Sequence, residues 1–114
     1  MEPVSRANTE HYFWGDAACE GWHLVRTGAL SVIEERMPGQ TAERRHSHAR
    51  ARQFFYVLKG ELTLEVERQE HLLRANEGLE IGPGMTHQAL NRSEQEVRFV
   101  VTSQPPSHGD RIDA

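Results

Sequence analysis

Apolar and polar residues alternate with a period of two through much of the chain. "ALSVIEERM" and "ELTLEVERQEHLL" mix apolar and polar positions in this way, most regularly at Leu62, Leu64 and Val66, which share one parity. Such alternation turns one face of a strand to a core and the other to water. "RQFFYVL" and "VRFVVTS" are denser in apolar residues, as strands buried on more than one side are. No segment keeps a helical period for more than about two turns. Turn signals fall at Pro38-Gly39, Lys59-Gly60, Arg68-Gln69, Asn76-Glu77-Gly78 and Pro83-Gly84. Strand-length segments spaced about 8–12 residues apart predict an all-β sandwich or barrel.

The ends break the pattern. Residues 1–27 read as an N-terminal arm with a first strand, irregular in part and holding Trp14 and Trp22. Residues 28–103 read as the barrel and 104–114 as a tail, in which Pro105-Pro106 excludes a central strand. A chain of 114 residues is long enough for one core and too short for two.

Charge and composition narrow the function. A formal net charge of −4 argues against nucleic acid, which needs a basic face to release counterions. One cysteine, Cys19, excludes an intramolecular disulfide. No apolar run approaches a membrane span and the start has no signal-like apolar region, so a cytoplasmic setting without membrane contact is expected.

The chemistry sits in "HSHARARQ", His46 to Gln53. On a strand, His46 and His48 face the same side, roughly 6–7 Å apart, and two imidazoles so placed can converge on one metal ion. Alone, the pair fits solvated or hydrogen-bonded histidines as well. The surrounding spacing is more specific. Gln53 follows His48 after four residues and Gly60 after six more; farther on, Gly84, His87 and Asn91 stand in "IGPGMTHQALN".

This pattern resembles the cupin superfamily, in its small single-domain, cupin-2-like form, over about residues 28–103. The family's motifs read G-x5-H-x-H-x3,4-E-x6-G and G-x5-P-x-G-x2-H-x3-N. The chain departs from them at four points. Gly39 lies six residues before His46 rather than five, Asn76 stands in place of a glycine, Gly82 in place of the proline, and Gln53 in place of the metal-binding glutamate.

The resemblance implies an antiparallel jelly-roll barrel, a double-stranded β-helix, with His46, His48 and His87 as metal ligands and Gln53 carried over by position. Three imidazoles suit a divalent transition metal (Fe, Mn, Ni, Cu or Zn) with coordination positions left open. Glutamine in place of glutamate removes one negative charge from the site. By analogy with three-histidine members of the superfamily, a metal-dependent enzyme on a small organic metabolite is expected, with dioxygenase-type chemistry favoured. A redox-neutral Lewis-acid isomerase or lyase is the alternative, and it requires a general base. A ligand- or metal-binding cupin without turnover is a third reading. A homodimer is expected, since a small domain has sheet edges to cover.

Several residues carry two readings. Arg44 and Arg50, with Arg45 and Arg52, either clamp a substrate carboxylate or pair with nearby acids on a solvated loop. Phe55 and Val57 share the parity of Gln53 and either line a substrate pocket or fill the barrel. Glu80 offers an acid near the site if its side chain points inward. Trp14 and Trp22 either cap the pocket or a subunit contact, or are simply buried. His11, His23, His71 and His108 have no spacing partner and are expected not to be ligands.

Overall fold

The structure, a computed structural model, describes residues 1–15 and 18–114, so two residues of the N-terminal arm, 16 and 17, lie outside it. Among the described residues there is no helix. The first sheet contains β1 (His11–Trp14), β2 (Cys19–Arg26), β3 (Ser31–Met37), β6 (Arg52–Lys59), β9 (Gly78–Ile81) and β11 (Val97–Gln104), in the order β1-β2-β3-β11-β6-β9. The second contains β4 (Thr41–Ala42), β5 (His46–His48), β7 (Leu62–Val66), β8 (Gln69–Leu73), β10 (His87–Asn91) and β12 (Arg111–Asp113), in the order β12-β5-β10-β7-β8, with β4 also on β10. Every pairing is antiparallel. The all-β architecture expected from the alternation is observed, in the two-sheet jelly-roll form that the family resemblance implied.

The period of two decides what faces inward. On β6, Gln53, Phe55 and Val57 are buried while Arg52, Phe54 and Leu58 are exposed. On β11, Val97, Phe99, Val101 and Ser103 are buried. The register aligns Ser103 with Gln53, Val101 with Phe55 and Phe99 with Val57. Each inward stripe therefore changes character along its length. Its polar end opens on a cavity, and its apolar end joins a core of Met37, Val57, Leu62, Leu64, Val97 and Phe99, all with no exposed surface. Burying such side chains stabilises by about 1.5–3 kcal/mol each, so the closed end anchors the open one.

The N-terminal segment contributes two strands to the first sheet, β1 and β2, paired outward from β3. The tail returns as β12 against β5, an edge position that suits a segment containing prolines. The β7–β8 hairpin turns at Glu67-Arg68, one residue before the expected Arg68-Gln69. Both turn residues have positive φ, 50° and 71°, as a two-residue turn that matches strand twist demands. Backbone twist overrides residue preference there.

Candidate metal centre

Strand parity and one cross-strand pair build the centre. His46 and His48 point inward from β5, and His87 is the register partner of His46 on β10. The ring centroids of His46 and His87 lie 4.4 Å apart, those of His46 and His48 4.9 Å, and those of His48 and His87 5.7 Å. One ring nitrogen from each residue lies within 4.8 Å of the others. All three residues are buried.

Backbone carbonyls set the tautomers. His46 Nδ1–H donates to the Arg44 carbonyl (2.8 Å) and His87 Nδ1–H to the Met85 carbonyl (3.0 Å), which leaves each Nε2 with a free lone pair. Burial lowers the pKa of all three imidazoles, that of His46 to about 4, so they are neutral at neutral pH. Neutral imidazoles are the form that ligates.

The residues present fit a metal ion. Five buried side-chain atoms among the described residues lack a hydrogen-bond partner, and three belong to this cluster: His48 Nδ1, His87 Nε2 and Gln53 Oε1. Each such orphan costs about 1–3 kcal/mol, which a bound cation would offset. The Gln53 amide is oriented for this, because its Nε2 donates to Ser103 Oγ (3.0 Å) and its carbonyl oxygen is left free.

Asp110, which the sequence did not single out, secures the loop between His48 and Gln53. Its carboxylate accepts from Ala49 N (3.1 Å), Arg50 N (2.9 Å) and Ala51 N (2.9 Å). These amides hold its pKa below the usual carboxylate range. No spacing signal pointed to it, since the contact spans about sixty residues of chain.

A cavity of about 500 Å3 opens on the cluster and is lined by His46, His48, Gln53 and Phe55. Of the other expected substrate contacts, Arg44 and Arg50 are exposed and outside this lining, and Val57 is fully buried in the core. Glu80 faces solvent and pairs with Arg52 (2.5 Å), because its neighbour Ile81 takes the inward position. Trp14 lines the cavity and donates from Nε1 to the Glu20 carbonyl (3.0 Å). His23 and His108 also line it, away from the ligand cluster.

Three acids that sequence reasoning passed over line the cavity: Glu10, which pairs with Arg26 (2.7 Å), Glu35 on β3 and Glu43 before β5. The signal was present: Glu35 shares strand parity with Ile33 and Met37. Burial, above all, raises the pKa of Glu35 to about 7 and that of Glu43 to about 8. A carboxyl with a raised folded-state pKa is neutral in both states at low pH and loses stability for the fold as pH rises. For Glu35 that loss runs from about 4.5 to about 7 and amounts to roughly 3 kcal/mol. The three histidines, with lowered values, work in the opposite sense below 6.5. The readout is therefore a difference. In metal-free protein, the stability gained by Glu35→Gln over wild type, from urea denaturation, should grow between pH 5 and 7 and level off above. A gap that stays flat with pH would show that Glu35 titrates normally.

The profile of the cupin domain matches residues 32–103, more than half of the chain. No characterised protein matches by sequence. Among solved structures, an RmlC-like cupin from Shewanella frigidimarina superposes with a TM-score of 0.81 at 20% identity, covering 93% of this chain and 92% of its own. The polyketide cyclase RemF from Streptomyces resistomycificus gives 0.81 at 18%, covering 100% and 85%. A sugar phosphate isomerase of the cupin superfamily from Silicibacter pomeroyi gives 0.78 at 19%, covering 90% and 75%. At these identities the likeness is one of fold. Together with the matched domain profile, the two-sheet barrel and its histidine cluster place the chain in the cupin family.

Proposed function

We propose that the chain is a metal-dependent enzyme that carries out redox-neutral, acid–base chemistry on a small organic metabolite. His46, His48, His87 and the Gln53 carbonyl oxygen hold a divalent transition metal ion. When bound, the ion supplies Lewis-acid polarisation of a substrate oxygen. One observation carries the reading: one cavity presents unpartnered ligand atoms and two half-buried carboxyl groups, Glu35 and Glu43, neither of which forms a salt bridge with an arginine or lysine among the described residues. The redox-neutral alternative lacked only a general base in the sequence, and Glu35 and Glu43 supply candidates. Two structural relatives with the same fold are named as an isomerase and a cyclase, which agrees with that class.

Dioxygenase-type chemistry is the second reading, favoured by a donor set of imidazoles and an amide that adds no negative charge to the ion. Oxygen separates the two. Protein reconstituted in turn with Fe, Mn, Ni, Cu and Zn should convert members of a panel of small hydroxy and oxo compounds under argon, with more than one ion. Conversion that requires iron and consumes O₂ would overturn the redox-neutral reading in favour of the second.

The proposal includes a cytoplasmic homodimer. Phe13 (60% exposed) and Phe54 (43%) stand exposed on β1 and β6, surface that a second copy would cover. Sedimentation at micromolar concentration should give about twice the chain mass, and a monomer would remove this part.

A further inference from the structure

Tyr12, Gly21 and Glu35 form one row across three strands. Tyr12 is the register partner of Gly21 on β2, and Gly21 is the register partner of Glu35 on β3. A Cβ at position 21 would lie 2.2 Å from Tyr12 Cζ and 2.4 Å from its hydroxyl oxygen. The tyrosine ring therefore occupies the space that any side chain at 21 would need. Lying across the glycine, it brings its hydroxyl to Glu35, donating to Oε2 at 3.1 Å.

Glu35 differs from most of the chain's other acids in its partner. Glu20, Glu34, Glu65, Glu70, Glu80 and Glu96 each pair with an arginine. Glu35 has a tyrosine instead, and its other register neighbour is Phe99 of the core floor. The environment is apolar below and open to the cavity above. Glu43 shares the cavity but is otherwise engaged: its Oε2 accepts from Ala89 N (2.9 Å) and stands 4.0 Å from His46 Nδ1. Glu43 thus braces a ligand strand, and Glu35 is the carboxyl left to meet a substrate.

We propose that Glu35 is the catalytic acid–base residue of the cavity and that Tyr12, laid across Gly21, is the residue that positions it. This rests on the redox-neutral reading above. The substrate is a small oxo compound whose carbonyl oxygen is held at the histidine cluster and accepts the electron pair released when the adjacent carbon loses a proton. The Glu35 carboxylate takes a proton from the carbon beside that oxygen-bearing carbon, the C–H electron pair stays with the substrate, and the resulting carboxylic acid returns a proton to a substrate atom. No oxidant or reductant enters. Burial raises Glu35 to about 7, so both protonation states are populated at neutral pH. The Tyr12 hydroxyl favours the charged form and opposes part of that rise.

The test is exchange of carbon-bound hydrogen for deuterium in D₂O, followed by proton NMR on pyruvate, 2-oxobutanoate and dihydroxyacetone with metal-loaded protein under argon. Wild type is expected to catalyse exchange on at least one probe. Glu35→Gln should slow it roughly 100-fold with metal content unchanged. In Tyr12→Phe the rise of the rate with pH should move to higher pH, because a donor to the carboxylate is gone. Glu43 and His23 face the same space but are common to both proteins, so the displacement isolates Tyr12. A packing role alone would leave the profile in place. Gly21→Ala, which displaces the ring, should copy Tyr12→Phe. Exchange that persists at the wild-type rate in folded Glu35→Gln overturns this proposal and leaves the redox-neutral reading standing. Wild-type protein that holds metal yet exchanges none of the probes overturns both.

Discussion

Replacing His87 with alanine is expected to weaken metal binding by roughly a thousandfold while the barrel stays folded. Loss of a partner that only orients a ligand typically costs 10–100-fold, and a ligand itself costs more. His87 comes from β10, whereas His46 and His48 share the three-residue strand β5. Without it, two imidazoles on one strand have no histidine opposing them. The stability cost is small for so buried a residue, about 1–2 kcal/mol. The cavity left behind destabilises, but an orphaned buried nitrogen leaves with the side chain. Titration calorimetry with Zn²⁺ or Mn²⁺ checks the affinity, and urea denaturation without metal checks the fold. His108→Ala, at the same cavity but outside the cluster, should bind as wild type does. Gln53→Glu should bind more tightly, since it restores a negative charge beside the ion. Wild-type affinity in His87→Ala would remove β10 from the site.

The legible part of this site was its local part. Strand parity places His46 and His48 on one face of β5, the family spacing adds Gln53 on β6 of the facing sheet, and His87 and Asn91 carry a second spacing of that pattern. Glu35 was legible in principle, as a polar residue at an inward parity position in "SVIEERM", yet alternation was read as apolar in and polar out. A functional cavity is where that rule fails, because a polar side chain facing inward meets substrate rather than core. Tyr12 and Asp110 could not be found by spacing. Each acts through strand pairings of high sequence separation, Tyr12 across two strands onto Glu35 and Asp110 from the tail onto the loop after His48. Arg44 and Arg50 show the converse. Sequence proximity to the ligands put them beside the site, whereas both are exposed and absent from the cavity lining.

Asn91→Ala should destabilise the fold by about 3 kcal/mol and lower the melting temperature by about 10 °C. The side chain is 1% exposed. Its Nδ2 donates to the carbonyls of Met37 (3.1 Å), Pro38 (3.1 Å) and Gln95 (2.8 Å), and its Oδ1 accepts from Ser93 N (3.1 Å) and Ser93 Oγ (2.8 Å). The amide ties the end of β3 to the turn between β10 and β11. Gly39 closes the same junction from the other side, since a Cβ there would meet the Glu94 backbone at 2.6 Å. The motif's asparagine and its first glycine therefore belong to one structural joint rather than to the metal centre. Alanine leaves buried carbonyls without donors, and no neighbouring side chain replaces five contacts at once. Asn91→Asp keeps the acceptor but loses the donors, and should be as damaging. The joint and the centre share β10, with Asn91 at one end and His87 at the other, so destabilisation is expected without a comparable change in metal affinity below the melting transition. Thermal denaturation and metal titration on the same sample separate the two effects. A large loss of affinity in the folded variant would mean that the joint also sets the position of His87.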